Sequence, residues 1–449
     1  MQESKKAFGL WGAVLLGIGS MVGAGIFIVI GQAGAIAGNL VWLSFIFGGL
    51  SALLSGYSLA KLAVAFPSRG GMVEYLVQGY GEGIFSGSIG VLFYFSQLIA
   101  ISAVAKSFGV YMVTLLPNFG ADATLFALGV VLLFILINLI GASLVARFES
   151  VIVFIKLTIL IAFSGVALYF MNPTLLSVHD MPPLNQMFFA IGLTFFAYQG
   201  FSVITNTVED MQNPKETMMR AMMWAIGLVG VLYLITSVAV LGNLTLPEVI
   251  KAKDYALAQT AQPIFGAMGF KIMALTALLA TASAINATLY AATEIGYTLA
   301  KEGNLPKVYT YNLHRSYSGL VVSGLLIVPM ILFLNLSEVT TIAALVVLII
   351  QGFVHIGHLF RIKETGAKRG LVIGAVLSMF LIAGLTLYYT MQHSMPHIAL
   401  YLLLAFALAF FVEVILRLLH HRVIQKQTHK GVLASLEERV EEIFQEEKR

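Results

Sequence analysis

At 449 residues the chain has the length of about three soluble domains of roughly 150 residues each. Its composition excludes them: 59% of residues are hydrophobic and only 11% are charged, against about 25% charged in a typical soluble protein. The apolar residues number about 265, enough for about twelve membrane spans of roughly 22 residues, so the chain reads as an all-α polytopic membrane protein. A disordered chain is excluded by the same figures. Cysteine is absent, which removes disulfide frameworks and thiolate metal sites.

Apolar runs of about 20 residues place spans at 8–37, 40–66, 84–116, 123–145, 150–171 and 184–209. Six more are expected at 221–243, 267–300, 318–335, 338–360, 370–391 and 396–420. The apolar stretch from Phe8 to Gly38 far exceeds the 7–15 residues of a signal-peptide core, so it reads as a retained first span. With the amino terminus inside, twenty-one of the 26 Lys and Arg residues fall on the cytoplasmic side. Lys251, Lys253 and Lys271 fall outside, and Lys106 and Lys156 fall within spans. That asymmetry follows the positive-inside rule and predicts a plasma-membrane protein with both termini cytoplasmic. Topology accounts for the net charge of +4, so no nucleic-acid partner is expected.

Between spans, Gly70–Gly83 is too short and polar to cross and is expected along the cytoplasmic face. The amphipathic stretch Leu246–Phe265 is expected to cap an extracellular opening. In the tail at 422–449, Leu433, Leu436, Val440, Ile443 and Phe444 recur at helical spacing opposite six glutamates. This reads as a cytoplasmic amphipathic helix that packs on its own protein or on a partner, and its acidity argues against an anionic membrane surface.

The first span contains GIGSMVGAGIF at 17–27, four of whose first nine residues are glycine. Glycine weakens a helix by its backbone entropy; close helix packing through Gly19 and Gly23 is the alternative reading. A dinucleotide loop is excluded, since the spacing is not GxGxxG and no strand precedes it. The sixth span carries a matching irregularity at Tyr198-Gln199-Gly200. Interruptions five spans apart are the mark of two inverted five-helix repeats, here 1–171 and 184–360, with two added helices at 370–420. A broken helix offers free N–H groups and a positive dipole end to a carboxylate, and free carbonyls to an ammonium. A site built from backbone in this way favours a zwitterionic amino acid.

GIGSMVGAGIF at 17–27 and FFAYQGFSVITNTVEDMQNPKETMMRA at 195–221 resemble the amino acid–polyamine–organocation transporters, which share the LeuT-type fold. The resemblance covers spans one to ten and is nearest to the ApcT-type proton-coupled amino acid transporters. It implies that a substrate carboxylate meets the amides of Gly23, Ala24 and Gly25. The amino group is then expected at the carbonyls of Met21, Phe196, Ala197 and Gln199, with Phe196 and Tyr198 shaping the pocket. Gln199 departs from the family's usual apolar residue.

Lys156 lies seven residues into span five, about 10 Å deep at 1.5 Å per residue. Inserting a lysine costs roughly 2.5–3.5 kcal/mol, and snorkelling to the headgroups is the alternative. The resemblance implies that its ammonium stands where sodium-coupled relatives hold sodium, beside Gly19 on span one and Ser283 on span eight. Burial penalises a charged ammonium, so such a lysine can be charged in one conformation and neutral in another, coupling protons to transport. Lys106 is expected at the outer interface, and Glu294 and Glu413 in structural pairs. His355 and His358 lack a third ligand in sequence, so no metal or other cofactor is expected. The expected activity is proton-driven symport of neutral amino acids, not enzymatic catalysis. Exchange, sodium-driven symport and a non-transporting sensor are the alternatives.

Overall fold

The computed structural model describes residues 9–420 apart from 24, 69, 121, 142, 177–182, 212, 315 and 394, with backbone alone at 141, 143–150 and 420. The expected tail helix and Ala24 therefore lie outside the described residues. What is described is helical, except for loops and one two-residue hairpin pairing Asn312 with Tyr317 and Leu313 with Ser316. Among the described residues, ten helical stretches are long and apolar enough to cross a membrane, and two apolar helices, Leu10–Met21 and Gly319–Phe333, are shorter. The chain is an all-α, multi-pass membrane protein.

The first span is divided into helices α1 (Leu10–Met21) and α2 (Gly25–Ala37), and a 3-10 turn at Gly38–Leu40 leads into α3 (Val41–Ala65). Gly38 takes φ +56° there, a conformation open to glycine, and so divides the 41-residue apolar run Gly25–Ala65. The Gly70–Gly83 segment forms α4 (Met72–Tyr80), set between Gly71 at φ +55° and Gly81 at φ +76°. Helices α5 (Ile84–Leu115), α6 (Ala123–Gly141) and α7 (Ser143–Tyr169) follow.

The sixth span is also divided, into α8 (Leu184–Ala197) and a ten-residue 3-10 helix, Phe201–Asp210. Next come α9 (Pro214–Leu241), the short α10 (Leu246–Lys251) and α11 (Ala256–Lys301). At Gly266 (φ +67°, ψ −162°) α11 kinks, so the segment expected as an outer cap is α10 plus the first part of α11. The remaining helices are α12 (Gly319–Phe333), α13 (Leu336–Phe360), α14 (Ile362–Thr365), α15 (Arg369–Gln392) and α16 (His397–His420).

Packing sorts these helices into an inside and an outside. The apolar windows of α5 and α13 are almost wholly buried, whereas only about a quarter of those of α6, α7 and α16 is buried. Leu132, Leu133, Phe154, Leu404 and Phe411 project outward, a surface that needs lipid rather than water. Inside, α2 packs on α8, α1 and α3 pack on α9, α5 packs on α11, and α13 packs on α4, α5 and α15. The two interrupted helices therefore lie at the centre, held by α3, α9 and α11.

Candidate functional site: two helix breaks in contact

The first break begins where the last α1 hydrogen bond, Val22 N–H to the Ile18 carbonyl at 2.8 Å, is made. Val22 then leaves helical geometry (φ −81°, ψ +42°), and α2 starts at Gly25. In the second break the Tyr198 and Gln199 amides reach back three residues, to Phe195 and Phe196, at 3.0 Å each. Gly200 follows at φ +115°, where a β-carbon is penalised.

The breaks touch each other. A β-carbon on Gly200 would lie 2.6 Å from Ser20 Oγ, and one on Gly25 would lie 2.7 Å from the Ala197 carbonyl oxygen. Glycine is thus required at both positions by approach distance. The amino end of α2, whose first amides lack intrahelical partners, consequently faces the carboxyl ends of α1 and α8, whose last carbonyls lack them too. Gly23 lies between them, its absent side chain matched by Ala284 of α11 at 3.3 Å. Met21, Phe196, Ala197 and Tyr198 are all buried around this junction.

A tyrosine that sequence reasoning did not single out joins the two breaks. Tyr233 of α9 is fully buried, and its hydroxyl stands 2.8 Å from the Met21 carbonyl oxygen and 3.1 Å from that of Ala197. One proton is shared between the ends of both interrupted helices. The Tyr198 hydroxyl donates to the Phe45 carbonyl at 2.9 Å, and the Tyr233 ring packs on the rings of Phe45 and Tyr198. A buried tyrosine must find a partner for its hydroxyl, and it is the burial of Tyr233, seen only in the packed structure, that marks it.

Lys156 of α7 is only 1% exposed, so it is not snorkelling. Its Nζ donates to the Gly19 carbonyl oxygen at 3.0 Å. Gly19 permits this approach, since a β-carbon there would press on both Val153 methyls at 3.1 Å. Ser283, on the buried side of α11, stands next to Ala284 and thus near Gly23. Lys156 is anchored to α1 two residues before that helix ends.

Gln199 is the polar side chain at the second break. Its Oε1 accepts from Gln351 Nε2 of α13 at 3.4 Å, while its own Nε2 is buried with no protein partner. Of the other singled-out groups, Glu294 is exposed and makes no ion pair among the described residues, contrary to the structural pair expected for it. The rest lie beside protein groups. The charges of Asp122 and Glu338 face Lys106, Glu413 pairs with Arg417 at 2.7 Å, and all four ring nitrogens of His355 and His358 are hydrogen-bonded.

Comparison with known proteins agrees with this architecture. The amino acid permease family profile matches residues 8–418. The inner membrane transport protein YbaT of Escherichia coli is 34% identical over 85% of this chain and 89% of its own. In Bacillus subtilis, a methylthioribose transporter is 27% identical over 69% of this chain and 72% of its own. The serine/threonine exchanger SteT of the same organism is 25% identical over 67% and 70% respectively. The chain belongs to the amino acid permease family, membrane transporters and not enzymes.

Proposed function

We propose that this permease is a proton-coupled symporter that imports neutral amino acids by alternating access. In this reading twelve spans form two inverted repeats, 1–171 and 184–360, followed by two helices at 370–420 and the tail at 422–449, with both termini cytoplasmic in the plasma membrane. The substrate lies at the junction of the two breaks. Its carboxylate is held by the amides of Gly23, Ala24 and Gly25 at the positive end of α2. Its ammonium is held by carbonyls of Met21, Phe196, Ala197 and Gln199, with Phe196 and Tyr198 bounding the pocket.

Lys156 supplies the coupling, with Gly19 and Ser283 as its neighbours. The observation that carries this is the buried ammonium bonded to the Gly19 carbonyl at 3.0 Å. When charged, Lys156 ties α7 to α1; when neutral, it releases α1 and the repeats are free to rock. A gradient of one pH unit supplies about 1.4 kcal/mol per proton, and a potential of 100 mV adds about 2.3 kcal/mol per charge. A fixed ammonium in this place argues against a sodium ion there.

Proteoliposome uptake with pH and sodium gradients imposed separately tests the reading. Accumulation driven by the pH gradient alone is expected, and Lys156→Ala is expected to abolish it while leaving counterflow. Accumulation driven by sodium without a pH difference, or retained in Lys156→Ala, would overturn it. Exchange is the second reading, favoured by the likeness to SteT; it predicts counterflow with no net accumulation under either gradient.

A further inference from the structure

A second polar system runs through the centre of the molecule, apart from Lys156. On α13, Gln351, His355 and His358 are spaced by four and three and so share one helical face; Ser55 and Ser58 on α3 stand opposite. All five are fully buried. Ser55 Oγ donates to Gln351 Oε1 at 2.8 Å and lies 2.9 Å from His355 Nε2. Ser58 Oγ lies 2.8 Å from His355 Nδ1 and 2.7 Å from His358 Nδ1. His358 Nε2 lies 2.8 Å from Thr365 Oγ1, at the end of α14. With the Gln351–Gln199 contact, the chain is continuous from the second helix break to Thr365, just past the carboxyl end of α13.

Counting protons fixes its sense. Ser55 spends its only proton on Gln351, so it accepts from His355, which therefore carries N–H at Nε2. A neutral His355 accepts at Nδ1 from Ser58. Ser58 has then spent its proton and accepts from N–H at Nδ1 of His358, whose Nε2 accepts from Thr365. Every group is satisfied with both rings neutral, in opposite tautomers and with all protons pointing towards Gln351.

We infer that Ser55, Ser58, His355 and His358 form a proton relay between Thr365 of α14 and the Gln351–Gln199 pair at the α8 break, with His355 as its transient end station. Its ligand is the proton. The inference rests on the proton-transport reading for its purpose, and on its own geometry for its existence. The Thr365 hydroxyl has a second acceptor in the Ile362 carbonyl at 3.3 Å, and turning to it uncovers His358 Nε2. A hydronium ion from the aqueous side gives its proton to that nitrogen. His358 passes its Nδ1 proton to Ser58 Oγ as Ser58 passes its hydroxyl proton to His355 Nδ1. The products are water, His358 neutral with N–H at Nε2, an intact Ser58 hydroxyl and a His355 imidazolium. The relay stops there, because the Gln351 carbonyl is not a useful base. The positive charge comes to rest one helical turn from the pair that meets the break.

The surrounding charges permit a cation at this place only as a transient. Lys61 of α3 faces His358 and opposes it. Arg361 donates to the Gln78 carbonyl and pairs with Glu364. From α4, Glu74 bonds Gln78, and Tyr80 donates to the Phe353 carbonyl. On α5, Tyr94 bonds Ser323 and Lys106 faces Asp122 and Glu338. Glu413 of α16 is paired with Arg417, Arg369 begins α15, and α8 carries no ionisable side chain.

Nitrogen-15 NMR of the histidine-labelled full chain in lipid nanodiscs tests this, with resonances assigned through His355→Gln and His358→Asn. Opposite neutral tautomers are expected, Nε2–H for His355 and Nδ1–H for His358, with both rings changing in one coupled step on acidification. Ser58→Ala keeps both imidazoles and removes only the bridge. It is expected to uncouple them, so that the His355 resonances stop shifting with pH while those of His358 still move. Identical tautomers, or a His355 titration unchanged in Ser58→Ala, would overturn the relay. These signals do not depend on transport: Lys156→Ala is expected to preserve them, so failure of the coupling reading and failure of the relay are read separately.

Discussion

Gly25 and Ala197 meet so closely that a β-carbon on Gly25 would stand 2.7 Å from the Ala197 carbonyl oxygen and 2.9 Å from its Cα. This contact locks the amino end of α2 against the carboxyl end of α8, and backbone has little freedom to yield. Gly25→Ala is expected to cost about 1–3 kcal/mol as overpacking and to lower both melting temperature and substrate-induced stabilisation. Gly227→Ala on α9 is the control: nothing lies within 4 Å of that position, so helix propensity makes it neutral to stabilising by about 1 kcal/mol. Thermal unfolding with and without an amino acid substrate checks both.

Tyr233→Phe removes one oxygen and keeps the ring packing on Phe45 and Tyr198. The carbonyls of Met21 and Ala197 then lose a shared donor in a dry interior, at a cost of about 1–3 kcal/mol. About 1.4 kcal/mol of that, if it falls on the substrate-holding geometry, weakens binding about tenfold. The expected result is a raised KM for uptake together with a lowered melting temperature. An unchanged KM would detach Tyr233 from the site.

Glu413 on α16 is fully buried and accepts from Arg417 Nε at 2.7 Å. Removing one partner of such a pair is expected to cost about 3 kcal/mol, so Glu413→Ala should strongly reduce the fraction that survives heating in detergent. Glu413→Gln keeps an acceptor for Arg417 and is expected to fall between Ala and wild type.

Helix α10 has a capping box in which the Thr245 hydroxyl and amide both donate to Glu248, at 2.7 and 2.8 Å. The side-chain bond from Thr245, then the backbone bond, hold the Glu248 carboxyl below its usual range. A depressed carboxyl contributes stability above its ordinary pKa, and that contribution is lost as pH falls through the lowered value. Amide exchange across Leu246–Lys251, corrected for intrinsic rates, is therefore expected to accelerate on strong acidification. Thr245→Ala should produce a similar loss at neutral pH, about 1 kcal/mol.

Both helix breaks were legible before any coordinates, because glycine at Gly17–Gly25 and the polar pair Gln199-Gly200 are anomalies within their own apolar stretches. Lys156 was legible for the same reason. Helix ends were less so: α9 starts at Pro214 instead of 221 and α7 at Ser143 instead of 150. Apolar runs stop where hydrocarbon stops, whereas a helix continues into the headgroups through residues such as Lys215, Glu216 and Arg220. Tyr233 went unmarked because a tyrosine in an apolar helix looks the same whether it faces lipid or a carbonyl. Ser55 and His355 lie 300 residues apart, and no local pattern pairs them. Their relation exists only once α3 and α13 are packed.

The 3-10 helix Phe201–Asp210 has a consequence for movement. Runs of this kind longer than three or four residues are uncommon, and this one persists for ten. At about 2.0 Å per residue it extends roughly 20 Å, whereas α geometry would take about 15 Å. Rewinding it would shorten the connection from Gly200 to Asp210 by about 5 Å without unfolding a residue. Gly17 of α1 leaves no room for a side chain against Ile204 of this segment, so α1 rides on the wound-out part. Such a rewinding would be a stroke close to one α-helical turn, taken up at the Asp210 end of the sixth span.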